Sequence, residues 1–468
     1  MRAEALNTWT KVLSIISLCF IYYWLGYELE RSQFWLLFSL YTAAFGLSFY
    51  LYKSGIRLSY LILLSFLLKF IFLFSIPELS QDFYRFVWDG MLYNQGINPY
   101  LHLPKELVES HTIEMEDFQG LLYDRMGDLN ASNYSTYPPV AQLIYTLSYA
   151  IGQSSLILNI IVLRLFNITA EIGIVWFGLK ILPHLKLPKS QILFFILNPL
   201  VILESTFNLH FEAVMLFFLA LSLYYLCTSK VYLSALGLAG AVASKMLPLM
   251  FLPLIFPFMN KKGKLFNRNQ ILRFSKFVTI LLLAIVLAYS FFWDSEMLSK
   301  NFKTLSLYFT SFEFNASFYY ALRWVGFELS GYNMIGVFGK LLLLITTLFV
   351  LFLSFKKKSI DFKTLLSYML FASTVYYLFS TTVHPWYLML PLFLSIFTRF
   401  KYMIVWSCLI FLSYSAYKID GVEENYRLLV LQYCGILGIM SYEIIVKRKL
   451  VSENRLFRKN KVQSKNQS

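Results

Sequence analysis

Stretches of about twenty apolar residues recur from one end of this chain to the other, and they leave few folds open to it. A helix needs about 20 such residues to cross the hydrocarbon core of a bilayer. Runs of this kind lie near 9–27, 34–52, 58–76, 155–181, 190–207, 209–228, 273–292, 332–354, 362–381, 386–400, 402–417 and 427–446. Two shorter runs between 230 and 260, broken around Lys245 and Pro248, read as a tight hairpin. The expectation is an all-α polytopic membrane protein with about 12–14 transmembrane helices. Composition agrees. Of 468 residues, 58% are hydrophobic and 14% charged, against roughly 45–50% and 25% in an ordinary soluble chain. So few charges could not clothe soluble domains, and so apolar a chain does not stay disordered. Aromatics reach 19%, more than interfacial belts use, so some must fill the core or line a site.

Charge orients the spans. Lysines and arginines number 41 and acids 26, a net +15. Under this span count Lys53/Arg57, Lys180/Lys186/Lys189, Lys230, Lys261/Lys262/Lys264, Lys356/Lys357/Lys358 and Arg399/Lys401 share one side, which the positive-inside rule makes cytoplasmic. The tail 447–468 joins them, with eight basic residues against Glu453 alone. In a membrane chain such a tail meets anionic headgroups, and no nucleic-acid partner is expected. Both termini are then cytoplasmic, and the Lys/Phe/Asn/Ser-rich usage points to a bacterial cytoplasmic membrane. The first run reads as a retained span, not a cleaved leader. Cys19, Cys227, Cys408 and Cys434 lie in apolar runs without metal-ligand spacing and read as small hydrophobes.

Four regions follow: N-terminal transmembrane helices at 1–76, an extracytoplasmic loop at 77–154, a transmembrane bundle at 155–446, and the basic tail at 447–468. The loop is the most informative. It carries ten acids against Arg85, Lys105 and Arg125, and long loops on membrane proteins usually carry function. It begins SQDFYRFVWDGMLYNQGINPY, with Asp82, Arg85 and Asp89 at i, i+3 and i+7 on one helix face and Phe83, Phe86 and Val87 on or beside the other. This reads as an amphipathic helix on the outer surface; the bland alternative is a solvated face with an ordinary Asp–Arg pair. Asn98-Pro99-Tyr100 makes a rigid turn. YSTYPPVAQ, 134–142, makes a second aromatic-proline corner containing Tyr137 and Gln142 and leads into 138–153, an interfacial or re-entrant helix on the outer side. Aromatic faces beside carboxylates suit a sugar: a surface for its C–H face and acceptors for its hydroxyls.

An Asp soon after a span, then YRFVWDG, GINPY and a TYPP turn, resembles the membrane-embedded glycosyltransferases of the GT-C superfamily. The likeness is greatest to the bacterial and archaeal mannosyltransferase-like group that uses polyprenyl-phosphate sugars. The spacing is also similar to that of the catalytic subunit of the first GPI mannosyltransferase. ILNPLVILESTFNLHFEAVM (196–215), ASKMLPLMFLP (243–253), FNASFYYALR (314–323) and TVHPWYL (382–388) extend the resemblance over about 58–400. Where the common pattern has two adjacent acids, Gln81 precedes Asp82 here, so the basal carboxylate role falls on Asp82.

The resemblance implies transfer of a hexose, mannose first, from a polyprenyl-phosphate donor to a glycan or glycolipid acceptor at the outer side. Asp82 would be the general base. Lys245, Arg85 and His384 would stabilise the leaving lipid phosphate. Asp89, Trp88, Tyr100, Tyr137 and Trp386 would hold the sugars, with Asn98, Gln142, His210 and Glu212 as further substrate-binding candidates. No metal and no cofactor are expected, since lipid-monophosphate donors in this class do not require a metal; no partner subunit is assigned. The alternative is a transporter or flippase of a lipid-linked sugar, but no internal repeat of the transporter kind is evident. Inside the spans, Lys69, Arg164, Glu171, Glu204 and Lys245 stand out because a charge there is costly. Arg164 and Glu171, at i and i+7, read as a possible pair, and Lys69 as a residue reaching outward to the interface. The orientation predicts that a cysteine at position 184 reacts with an impermeant maleimide only from the cytoplasmic side; labelling from outside would invert every later loop.

Overall fold

In hydrocarbon a backbone must satisfy its own polar groups, so a spanning chain of this composition is driven into helices. The computed structural model describes residues 2–260 and 266–465, with side chains at 8–260 and 266–446. The basic tail's side chains and Lys261, Lys262 and Lys264 lie outside the described residues. Helices α1 (Arg2–Tyr27), α2 (Phe34–Lys53) and α3 (Leu58–Phe70) open the fold. The first long loop folds as α4 (Asp82–Asn94), α5 (Pro104–Glu109), α6 (Asp117–Ala131) and α7 (Pro139–Gly152). Then come α8 (Leu156–His184), the short α9 (Leu193–Ile196) and α10 (Pro199–Val201), a π-helical turn at Ile202–Phe207, and the hairpin of α11 (Glu212–Cys227) and α12 (Val231–Ser244). The second half holds α13 (Leu252–Phe258), α14 (Arg268–Tyr289), α15 (Met297–Thr310), α16 (Phe318–Ser330), α17 (Ile335–Phe355), α18 (Phe362–Leu378), α19 (Met389–Ser395), α20 (Tyr402–Leu409) and α21 (Tyr426–Lys465). The only strands among the described residues are the two-residue antiparallel pair β1 (Tyr417–Lys418) and β2 (Gly421–Val422).

The protein is an all-α polytopic membrane protein. Among the described residues six helices are long and apolar enough to cross a bilayer: Thr8–Tyr27, Phe34–Lys53, Leu156–His184, Arg268–Phe292, Ile335–Phe355 and Tyr426–Val446. A bent pair, Lys189–Ile196 with Pro199–Phe207, turns through 50° and gives a seventh. The apolar runs expected near 58–76, 209–228, 386–400 and 402–417 become shorter helices, Leu58–Phe70, Glu212–Cys227, Pro385–Ser395 and Tyr402–Ala416. Hydropathy counts apolar residues whether or not they are helical, so it cannot see these early endings.

The loops meet in two sets of contacts. On one side Tyr93 donates to the Phe291 carbonyl (3.0 Å), Asn98 to that of Phe292 (2.8 Å) and Lys300 to that of Leu101 (2.9 Å). Phe314 exchanges backbone bonds with Thr381 and Val383 (3.1 and 2.8 Å). On the other side Asn260 binds the Lys358 carbonyl (2.6 Å), and Lys401 binds Gln191 (2.8 Å). The positive-inside assignment separates the same segments.

The buried charges are paired differently from the sequence expectation. Lys69 does not reach outward: it is fully buried and ion-paired with Glu171 at 2.9 Å, and Ser205 donates to the same carboxylate. Arg164 pairs with no carboxylate among the described residues. Its guanidinium donates to the carbonyls of Thr206 (2.7 Å), Phe207 (3.2 Å), Leu73 (2.9 Å) and Ser75 (3.1 Å). Asn198 caps the break before Pro199 and binds Ser407 (2.8 Å). The π-turn leaves carbonyls without helical partners, and Arg164 and Asn167 supply the donors. Lys69→Met leaves Glu171 charged and buried, and is expected to destabilise by about 3–5 kcal/mol. Thermal unfolding in detergent should show the loss, and a Lys69→Met/Glu171→Met double variant should recover most of it.

Candidate active site

Helix α4 is enclosed, not laid on a surface. It packs between α6 and α7, and Gly90 lets it approach closely: a Cβ there would lie 2.2 Å from the Tyr145 carbonyl oxygen. Arg85 and Asp89, 2% and 0% exposed, form an i, i+4 pair at 2.6 Å. Each neutralises the other, which is why a polar stripe can be buried here. The second oxygen of Asp89 accepts from Ser135 (2.6 Å) and Gln142 (2.9 Å). Arg85 donates to the carbonyls of Asn133 (3.0 Å) and Asn130. This cluster clamps α4 to the end of α6, the 133–137 corner and α7.

Asp82, the first residue of α4, stands outside this clamp. Asp82 is half-buried and accepts one long hydrogen bond from Asn130 (3.4 Å). Burial pushes its carboxyl above the ordinary carboxylate range, and Asn130, Arg31 and Lys245 restrain the rise. Lys245, just past the end of α12, is ion-paired with Glu212 at the start of α11 and lies 5.3 Å from the Tyr387 ring centre. The other Glu212 oxygen, Oε2, is buried with no hydrogen-bond partner among the described residues. Tyr137 and Tyr308 sit near enough to feel the charge of Asp82.

A column of rings forms the opposite boundary. His210 stacks on Trp386 with centroids 3.6 Å apart, Trp386 on His384 at 4.5 Å, and His384 on Phe314 at 4.8 Å. Tyr417 lies beside Phe314, and Arg31 sits over the Tyr417 ring. Burial, then the charges of Arg31 and Lys245, push His384 down to about 3. His384 is therefore a neutral imidazole at physiological pH, able to hydrogen-bond but not to serve as a cation. Below His210, Glu204 accepts from Tyr414 (2.8 Å) and Asn208 (3.0 Å).

The structure thus brings Asp82, Tyr137, His210, Glu212, Lys245, His384 and Trp386 to one recess. Trp386 is buried and stacked against both His210 and His384, so it holds the histidines and has little surface left for a sugar. Trp88 is buried behind the recess. Tyr100 donates to the Tyr137 carbonyl (2.6 Å) and, with Asn98, anchors the turn. Arg85, Asp89 and Gln142 likewise point into the clamp, where they position Asp82 from behind. Sequence reading passed over Arg31, Tyr417 and Tyr308. For Arg31 a signal existed: a base on the side that the charge rule leaves acidic. Among the described residues no group of three or more His, Cys, Asp or Glu could hold a metal ion.

A helical membrane bundle with a recess of carboxylates, a lysine and tyrosines is suited to a membrane transferase acting on a hydroxylated substrate. Residues 2–261 match the family model for the alpha-(1->6)-mannopyranosyltransferase N-terminal domain, the MptA_B family. The match covers more than half of the chain, and the chain belongs to that family: it is a glycosyltransferase of mannosyl-transfer type. Neither a curated protein nor a solved structure matches the chain. His384, Trp386 and Tyr417 lie beyond the matched region, so both halves of the chain build the recess.

Because the Asp82 carboxyl is raised in the folded state, its charged form opposes folding above the ordinary carboxylate range and is neutral in its effect below it. Asp82→Asn is therefore expected to raise the unfolding midpoint at neutral pH, with the gain vanishing near about pH 3. Melting curves across that range check this.

Proposed function

We propose that the recess transfers mannose from a polyprenyl-phosphate donor to a hydroxyl of a glycan or glycolipid acceptor, at the extracytoplasmic face of a bacterial cytoplasmic membrane, with both termini cytoplasmic. The architecture is of the GT-C kind. The observation that carries the reading is Asp82, a half-buried carboxylate with a single weak hydrogen bond, set beside the Lys245–Glu212 pair at the outer ends of α11 and α12. A carboxylate so lightly engaged, and raised by burial, is the better base.

Asp82 takes the proton of the acceptor hydroxyl as that oxygen bonds to the anomeric carbon. The bond from that carbon to the donor phosphate breaks on the opposite face, and the lipid phosphate leaves as an anion near Lys245. The free oxygen of Glu212 accepts from a sugar hydroxyl. Tyr137 and Tyr308 flank the sugar, and neutral His384 offers a donor or acceptor. Displacement of this kind inverts the anomeric centre, so the α-linked product that the family description names requires a β-linked donor.

The test is transfer by the purified full chain from a radiolabelled β-linked polyprenyl-phosphate mannose to a mannosylated glycolipid. Asp82→Asn should lower the rate by about 10²–10⁴, the range of general-base contributions, without lowering the melting temperature. Near-normal turnover in that variant would remove Asp82 from the mechanism. Transfer from a sugar nucleotide but not from the lipid phosphate would overturn the donor, and movement of the lipid across vesicles without bond change would favour a transporter.

A further inference from the structure

Arg31 lies in the short turn 28–33 between α1 and α2, far in sequence from every other residue of the recess. Its guanidinium carbon sits 3.2 Å above the Tyr417 ring centre. Lys245 is already neutralised by Glu212. Arg31, by contrast, has no carboxylate within ion-pair distance among the described residues, and its buried Nε has no hydrogen-bond partner among them. Its charge still reaches Asp82, Glu204, His210 and His384, so it belongs to the same recess. Arg164 spends its donors on carbonyls; Arg85 also leaves one nitrogen unpartnered but is neutralised by Asp89, so of these three arginines Arg31 combines an unspent donor with a charge that no described carboxylate pairs. Arg31 keeps a donor unspent while one flat face is held by an aromatic ring.

That geometry suits an anion that must enter beside Asp82 and Glu212, where a phosphate would otherwise meet two carboxylates. A guanidinium offers parallel N–H groups to two phosphate oxygens at once, which an ammonium cannot do. We propose that Arg31 is the principal phosphate-binding residue of the recess, gripping the phosphate monoester of the lipid donor, with Tyr417 as the positioning residue that fixes its guanidinium. The proposal rests on the lipid-phosphate reading given above, and it moves the role expected of Arg85 to a different arginine on a different loop.

The experiment measures binding of a short-chain prenyl phosphate to the full-length protein in detergent, by tryptophan fluorescence, beside the matching prenyl alcohol and inorganic phosphate. Wild type should bind the prenyl phosphate and neither control. Arg31→Gln should weaken binding at least about tenfold, Arg31→Lys less, and Tyr417→Leu by an intermediate amount. In the transfer assay Arg31→Lys should raise the donor KM and leave the acceptor KM unchanged. The unfolding midpoints of Arg31→Lys and Tyr417→Leu without ligand report whether each still folds. Wild-type affinity in both Arg31 variants would overturn the inference while leaving the lipid-phosphate donor standing. A wild type blind to prenyl phosphate would overturn the donor itself. Equal binding of inorganic phosphate would show a site for a free anion and would overturn the lipid assignment.

Discussion

An interrupted helix inside a membrane is admissible only where side chains replace the hydrogen bonds it gives up. The break at Asn198-Pro199 and the π-turn after it expose carbonyls at 205–207, and Arg164 with Asn167 answers them from α8. Arg164 extends the same grip to Leu73 and Ser75 below α4. One guanidinium therefore joins the third helix, the bent span and the eighth helix. Everything above it depends on this seam: the chain that emerges from it supplies Glu204, His210 and Glu212 in succession, each at a fixed depth.

The outer layer repeats that logic with a different pair. Arg85 and Asp89 cancel each other; Arg85 Nη1 donates to the loop that follows α6, and Asp89 accepts from Gln142 of α7. The result is a rigid shelf with Asp82 half-buried at its leading end. A carboxylate held on such a shelf is preorganised, as the general-base role proposed for it requires. The ring column from His210 to Phe314 does the corresponding work for the second half of the chain, tying the 381–386 turn and the Phe314 segment to the end of the π-turn.

Much of this could be read from residues alone, and the reasons for the rest are specific. The helical membrane class follows from composition, and the separation of loops by their lysines agrees with how they meet. Asp82, Lys245 and the histidines were visible because polar residues at the ends of apolar runs have few structural excuses. Which charges pair was not visible. Lys69 and Glu171 stand about a hundred residues apart, and only tertiary packing joins them. The Arg85–Asp89 spacing did allow an internal pair, but a one-dimensional helix wheel cannot say whether a face meets water or a neighbouring helix. Arg31 was hidden by its surroundings: Glu28 and Glu30 precede it in a turn that looks like ordinary solvated polar chain.

The short helices carry a consequence for the lipid. Helices α3, α11 and α12 have 13, 16 and 14 residues, about 20–24 Å at 1.5 Å per residue, against a hydrocarbon core of about 30 Å. Two of them end at residues of the site, Glu212 at the start of α11 and Lys245 after α12, and α3 leads through Ser75, held by Arg164, toward Asp82. Such hydrophobic mismatch is met by local thinning of the bilayer around the short elements. A bilayer thinned in this way would bring its headgroup level down toward Asp82, Glu212 and Lys245. For the lipid donor proposed above, a long prenyl chain would then stay dissolved among the acyl tails while its headgroup lay level with Asp82, so that presenting it would require no extraction of the lipid.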